Sequence, residues 1–147
     1  MSKHFERISV VGLGYVGLPL SMQFARSGVS VLGFDLDQQK VDSINNGESY
    51  LKHFSSESIA EQVDANRLEA TIDPSRLSEV EAILICVPTP LDDHREPDLS
   101  FVLDTAKTIA HHLVKGVLVS LESTTYPGTT EDELRVVLEE GSRLKAG

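Results

Sequence analysis

Cysteine is nearly missing from this 147-residue chain, which has Cys86 alone. An internal disulfide is therefore impossible, which excludes a disulfide-stapled secreted scaffold and points to a reducing cytoplasm. Positive charge is scarce too: 13 Lys and Arg stand against 23 Asp and Glu, for a formal net charge of -10. A chain of that sign repels phosphate backbones and anionic lipid, so general nucleic-acid and membrane-surface roles are excluded. No apolar run is long enough to span a bilayer, and the polar first eight residues followed by a short apolar stretch make no secretory signal. Repeats and low-complexity tracts are absent. What remains is 40% hydrophobic and 24% charged, one ordinary domain of a soluble protein, large enough to bury a core.

The apolar pattern alternates between strand and helix. Strands are predicted at residues 7–12, 30–35, 69–72, 82–87 and 117–121, and helices at 16–27, 38–46, 56–66 and 99–113. Asp37 is the expected N-cap of the second helix, and Asp73-Pro74 opens a brief helix of its own. Residues 82–87 (AILICV) are apolar throughout, as a strand covered on both faces should be. Leu99, Val102, Leu103, Ala106, Ile109, Ala110 and Leu113 form one stripe. Thr130 and Glu133 make a capping box for a last helix with Leu134, Val137, Leu138 and Leu144 on its apolar face. Such alternation with short connections specifies an α/β fold, a doubly wound parallel sheet with helices on both faces. Five strands are counted against about six in a complete sheet of this kind, and the pattern ends on a helix. The expectation is a sheet short of its last strand, in a chain (residues 1–147) that is one domain of something longer.

The residues VVGLGYVG place Gly12, Gly14 and Gly17 in G-x-G-x-x-G spacing between the first strand and the first helix. Gly12 permits the tight turn, Gly14 lets a pyrophosphate approach the backbone, and Gly17 lets helix and sheet pack closely. Ser21 and Ala25 continue that small-residue row at i, i+4 spacing. A tight turn with no ligand would give the same glycines, but here an acid also ends the second strand. Asp35 there can accept both hydroxyls of an adenosine ribose and would repel a 2′-phosphate, which predicts NAD as cofactor in preference to NADP. Asp37 is the rival acid, although helix capping accounts for it. The negative net charge is no obstacle, because backbone N–H groups hold a pyrophosphate without basic residues.

Two loops follow the fourth and fifth strands, at the carboxyl edge where open α/β sheets bind ligands. CVPTPLDDHREPDLS is stiffened by Pro88, Pro90 and Pro97 and offers the Thr89 hydroxyl. Its Asp92, Asp93, His94, Glu96 and Asp98 match no metal-ligand spacing and read as a solvated loop, with Asp98 capping the next helix. LESTTYPGTTEDE brings Ser123, Thr124 and Thr125 to a strand end, as nicotinamide-side hydroxyls or as a turn and cap. Cys86, inside an apolar strand, reads as a buried structural thiol. His111 and His112 are given no role.

Taken together, GLGYVGLPL, the FDLD strand end, VPTP with PDLSFV, and ESTTYPGTT resemble the UDP-glucose/GDP-mannose dehydrogenase family, in that family's order and over nearly the whole chain. The second and fourth motifs are more similar to its UDP-N-acetylhexosamine 6-dehydrogenases than to the UDP-glucose enzymes, in which a lysine usually stands where Glu122 is. The resemblance implies a Rossmann-type NAD-binding domain. In the complete enzyme it implies two NAD-dependent oxidations of a sugar C6 alcohol to a carboxylate, through a thiohemiacetal and a thioester on a catalytic cysteine. That cysteine, its partner lysine and the substrate domain match nothing in this sequence, so the chain alone is expected to bind NAD and to catalyse nothing. Matched to the family's motifs, Gly12, Gly14, Tyr15, Val16 and Gly17 form the pyrophosphate turn. Asp35 and Lys40 lie at the ribose, Thr89 lies beside the cofactor, and Thr124 touches the cofactor and positions the hydrolytic water. A UDP-sugar is the implied substrate, and a homodimer the implied state of the complete enzyme; this chain alone would be a monomer or a weak associate. Two other readings stand beside this one: a dehydrogenase of the 3-hydroxyacid or 6-phosphogluconate type, and a non-catalytic NAD-binding regulatory module. Which UDP-hexose is oxidised stays open at this level.

Overall fold

The computed structural model describes residues 5–52, 54–88, 93–95, 98, 100–122 and 134–145. In chain order they form β1 (Arg7–Val11), α1 (Gly17–Arg26), β2 (Ser30–Phe34), α2 (Gln38–Asn45), α3 (Ser56–Asp64) and β3 (Leu68–Thr71). A short 3₁₀ helix (Pro74–Glu79), β4 (Ala82–Ile85), α4 (Ser100–His112), β5 (Leu118–Leu121) and α5 (Arg135–Ser142) follow. All pairings are parallel, in the order β3-β2-β1-β4-β5. The expected doubly wound sheet is therefore present; β1 to β4 end one or two residues earlier than predicted, and β5 ends at Leu121 as predicted.

Strand alternation divides the core in two. Ile8 and Val10 of β1 and Val31 of β2 turn to one face, against Leu18, Met22 and Ala25 of α1, Val41 and Ile44 of α2 and Ile59 of α3. Val11, Leu32, Ile83 and Ile85 turn to the other, against Val102, Ala106 and Ile109 of α4 and Leu134. The period of two in the strands puts successive side chains on opposite faces, and the helices cover both. Of the predicted α4 stripe, Val102, Ala106, Ile109 and Ala110 are buried, and Leu103 and Leu113 are half-buried. The cap predictions within the described residues hold: Asp37 accepts from Gln39 N–H at 2.9 Å, Asp73 from Ser75 N–H at 3.0 Å, and Asp98 from Ser100 N–H at 2.9 Å. Thr130 and Glu133 lie outside the described residues, and Leu144 falls past the end of α5.

β3 is an edge strand, and a side chain closes part of it. The Asn45 amide accepts from Ala70 N–H and donates to Ala70 C=O, both at 2.9 Å, as a neighbouring strand would. At the opposite, amino end of the sheet, Arg7 and Arg76 pair with Glu69 and Glu79. These pairs are partly exposed and worth little individually.

Candidate cofactor site

Register decides what meets at the carboxyl edge. Thr71, Phe34, Val11, Ile85 and Leu121 are partners across the five strands, so they form one row. The next residue on each of four strands donates its N–H to the neighbouring strand end. Asp35 bonds to Thr71 C=O (3.2 Å), Gly12 to Phe34 C=O (2.8 Å), Cys86 to Val11 C=O (2.7 Å) and Glu122 to Ile85 C=O (2.9 Å). Asp35, Gly12, Cys86 and Glu122 are therefore side by side, although as many as 110 positions separate them in the chain. They face a cavity of about 760 Å³ whose walls include Gly14, Tyr15, Val16, Leu36, Lys40, Pro88 and Phe101.

The three glycines do different things. Gly12 has φ +95°, and a Cβ on it would lie 2.8 Å from the Cys86 carbonyl oxygen. A Cβ on Gly17 would lie 1.6 Å from the Gly12 carbonyl oxygen, so this residue lets α1 sit directly on the turn. A Cβ on Gly14 would meet nothing within 4 Å. Protein packing thus explains Gly12 and Gly17 and does not explain Gly14, which borders open space in the cavity. Ser21 bonds through its hydroxyl to Gly17 C=O at 2.7 Å, and with Gly17 and Ala25 it is buried, so the small-residue row packs as expected.

α1 is also left open at its start. Asp37, Ser55 and Asp73 cap α2, α3 and the 3₁₀ helix with side-chain oxygens, whereas the N-cap of α1 is Val16 and its first turn holds no acid. Uncapped N–H groups and the positive end of the helix dipole make a ready anion site. The open space at Gly14 lies beside it.

Asp35 and Tyr50 hold the turn between them. One Asp35 carboxylate oxygen accepts from Leu13 N–H at 2.8 Å and the other from Asp37 N–H at 2.9 Å. The Tyr50 hydroxyl donates to the Leu13 carbonyl, so both polar groups of that residue are pinned. Burial, then the charges of Asp35 and Asp37, push the Tyr50 phenol above its ordinary range, which keeps it a donor. Lys40 lies with its amine 5.9 Å from the centre of the Tyr50 ring. A carboxylate oxygen has two acceptor directions, so Asp35 can hold the turn and still accept from a ligand. Tyr50 escaped the sequence reading because its contact is 37 positions distant and no motif marks it.

Cys86 corrects one expectation. It follows β4 instead of lying within it, and though 8% exposed it lines the cavity. Burial, and then the Glu122 charge, push its thiol up to about 11, so it stays protonated and is not a nucleophile at neutral pH. The exposed Leu36 and Phe101 and the hydroxyl-bearing Thr105 and Thr108, none of them singled out from the sequence, add lining to the cavity. Thr89, Ser123, Thr124 and Thr125 lie outside the described residues, as do Asp92 and Glu96 of the acidic loop. Among the described residues no group of three or more His, Cys, Asp or Glu could hold a metal ion.

A parallel sheet with a glycine turn entering an uncapped helix, an acid ending the second strand and a cavity along the carboxyl edge defines a dinucleotide-binding domain of the dehydrogenase type. Comparison with known proteins gives the family. Residues 6–147 match the model of the UDP-glucose/GDP-mannose dehydrogenase family, NAD binding domain, and the chain belongs to that family. It is 38% identical over 140 residues to UDP-N-acetyl-D-glucosamine 6-dehydrogenase of Pseudomonas aeruginosa, covering 95% of this chain and 32% of that protein. It is 43% identical over 128 residues to UDP-N-acetyl-D-mannosamine dehydrogenase of Escherichia coli K12, covering 86% of this chain and 30% of that one. The crystal structure of an NDP-N-acetyl-D-galactosaminuronic acid dehydrogenase from Methanosarcina mazei Go1 superposes with a TM-score of 0.88 at 39% identity, over 97% of this chain and 32% of the other. The chain thus spans about a third of the length of these relatives. The cofactor is NAD, as the family's domain requires, and the 3-hydroxyacid and 6-phosphogluconate alternative gives way.

Proposed function

We propose that this chain is the cofactor half of a nucleotide-sugar 6-dehydrogenase. In this reading the complete enzyme oxidises the C6 alcohol of a UDP-N-acetylhexosamine to a carboxylate with two NAD. The observation that carries the cofactor assignment is the turn itself: Gly14 faces empty cavity, beside a helix start with no side-chain cap. The pyrophosphate lies along Gly12, Gly14, Tyr15, Val16 and Gly17. The adenosine ribose sits on Asp35 with Lys40 beside it. Thr89 borders the cofactor, and Thr124 touches it and orients the water that releases the acid. When bound, NAD supplies the hydride acceptor; this chain supplies the binding surface and its orientation. The preference for a UDP-N-acetylhexosamine is supported by the similarity to the UDP-N-acetyl-D-glucosamine 6-dehydrogenase of Pseudomonas aeruginosa and the UDP-N-acetyl-D-mannosamine dehydrogenase of Escherichia coli K12. The catalytic cysteine, its partner lysine and the sugar pocket belong to sequence outside these 147 residues, the complete enzyme is a homodimer, and the compartment is the cytoplasm.

The test compares two samples. The 147-residue chain should bind NAD and form no NADH when UDP-hexoses are added. The enzyme expressed from the full gene should form two NADH per UDP-N-acetylhexosamine consumed. In that enzyme Thr124→Ala should lower kcat by about 10²-fold while NAD affinity stays within a few-fold of wild type. Steady NADH production by the short chain, or one NADH per sugar in the long one, refutes the proposal.

A further inference from the structure

Two charged side chains on the described cavity wall have no part in the proposed function: Asp104, which lies on α4, and Glu122, which lies in the row along the carboxyl edge. Glu122 follows β5 and is the fourth member of the row Asp35, Gly12, Cys86, Glu122, fixed there by its N–H bond to Ile85 C=O at 2.9 Å. The Ser120 hydroxyl donates to its carboxylate at 2.7 Å. Its charge also reaches the Cys86 thiol on the cavity wall. β2 and β5 are three strand spacings apart in the order β2-β1-β4-β5, so the Asp35 and Glu122 backbones are separated by about 14 Å.

A dinucleotide bound with its adenosine ribose on Asp35 and its pyrophosphate over Gly12 and Gly14 continues along this row, across the crevice toward β5. Its pyridine ring then arrives beside Glu122. That ring carries a formal positive charge in NAD+ and none in NADH, because the transferred hydride, one proton with two electrons, brings a net charge of −1 that cancels it. A carboxylate there attracts one redox state and is indifferent to the other. Lys40, the lone cationic side chain among the described wall residues, sits by Tyr50 at the Asp35 end and does not offset it.

We propose that Glu122 sets the preference of this site for oxidised over reduced cofactor. The proposal rests on the NAD reading of the cavity. It gives Glu122 a consequence for turnover: a site that holds NAD+ and sheds NADH suits an enzyme that must reload between two oxidations.

Calorimetric titration of the chain with NAD+, NADH and ADP-ribose, for wild type, Glu122→Gln and Glu122→Lys, tests it. ADP-ribose lacks the pyridine ring and reports the Asp35 and glycine-turn contacts alone. The ratio Kd(NADH)/Kd(NAD+) should fall by about three- to tenfold in Glu122→Gln, the size of one partly screened charge, and further in Glu122→Lys. ADP-ribose affinity should not change. Added salt should shrink the wild-type ratio and leave the Glu122→Gln ratio alone. An unaltered ratio with normal ADP-ribose binding overturns the role of Glu122 and leaves the NAD reading standing. Equal loss of all three ligands in the variants makes Glu122 a structural residue and also overturns it. Failure of wild type to bind any of the three overturns the reading of the cavity itself.

Discussion

Alanine at Gly14 and alanine at Gly17 each add one methyl group to the same turn, and the structure gives the two methyls opposite fates. At Gly17 the new Cβ would lie 1.6 Å from the Gly12 carbonyl oxygen, which is backbone and cannot swing aside. Helix α1 must lift off the turn, separating Leu18 and Met22 from the core. Overpacking of a tight core costs about 1–3 kcal/mol, and a backbone clash belongs at the upper end. For a domain of this size 3 kcal/mol lowers Tm by about 6–12 °C. At Gly14 the Cβ meets nothing within 4 Å and its φ lies outside the left-handed region, so alanine fits the free protein. Stability should hold or rise by up to about 1 kcal/mol, since alanine restricts the unfolded chain more than glycine does. In the proposed reading the same methyl occupies the space the pyrophosphate needs, and NAD affinity should fall about 10- to 10²-fold. Differential scanning fluorimetry without ligand, followed by NAD titration, separates the two effects. Wild-type NAD affinity in Gly14→Ala would show that the cofactor does not approach this residue. An unchanged Tm in Gly17→Ala would show that the contact of helix and turn is misplaced.

Asp35→Ala should weaken NAD by about 1–3 kcal/mol, leave NADP nearly unaffected and so narrow the gap between them; equal NAD and NADP affinities in the wild type would remove Asp35 from the ribose. It should also lower Tm modestly, because Leu13 and Asp37 N–H lose their acceptor. Cys86 should react with iodoacetamide about 10²-fold more slowly than free cysteine at pH 8 and faster as pH rises toward 11, because burial and Glu122 favour the protonated thiol. By the same sign, the stability this thiol contributes is complete below the ordinary cysteine pKa and is lost as pH climbs through about 11. NAD should slow the alkylation further, since Cys86 lines its cavity; labelling at the free-cysteine rate would contradict both points.

The parts of this site that could be read from sequence are those whose cause is local. Gly12, Gly14 and Gly17 announce a turn because three glycines at fixed offsets sit between an apolar strand and an amphipathic helix. Asp37 and Asp73 announce caps because each precedes a helix start by one position and bonds to an N–H two residues on. Parts with non-local causes were invisible. Tyr50 matters through a carbonyl 37 positions earlier, and its neighbourhood, GESYL, has no periodicity that marks it. Glu122 belongs to the cavity because β5 pairs with β4 in one register, and a shift of one residue would move it to the other face. Cys86 shows the cost of a boundary error. Read as the fifth residue of a strand it is core, and it is indeed buried in the core, but ending the strand at Ile85 also gives it a place in the cavity wall.

Why an acidic chain should hold an anion follows from the same register. The described wall of the cavity carries Asp35, Asp104 and Glu122 against Lys40 alone, so side-chain charge there repels a pyrophosphate. Attraction has to come from the backbone. In the proposed reading the α1 start supplies it through N–H groups that no side chain caps, in a turn whose Leu13 N–H and C=O are fixed by Asp35 and Tyr50. Fixing these groups before the ligand arrives removes the cost of ordering them on binding. In the proposed reading the carboxylates are then free to act on the uncharged and cationic parts of the cofactor, ribose hydroxyls at one end and the oxidised pyridine at the other. A dinucleotide is negative in its middle and neutral or positive toward its ends. The row of Asp35, Gly12, Cys86 and Glu122 has the complementary pattern, with acids at both ends and a glycine and an uncharged thiol between them.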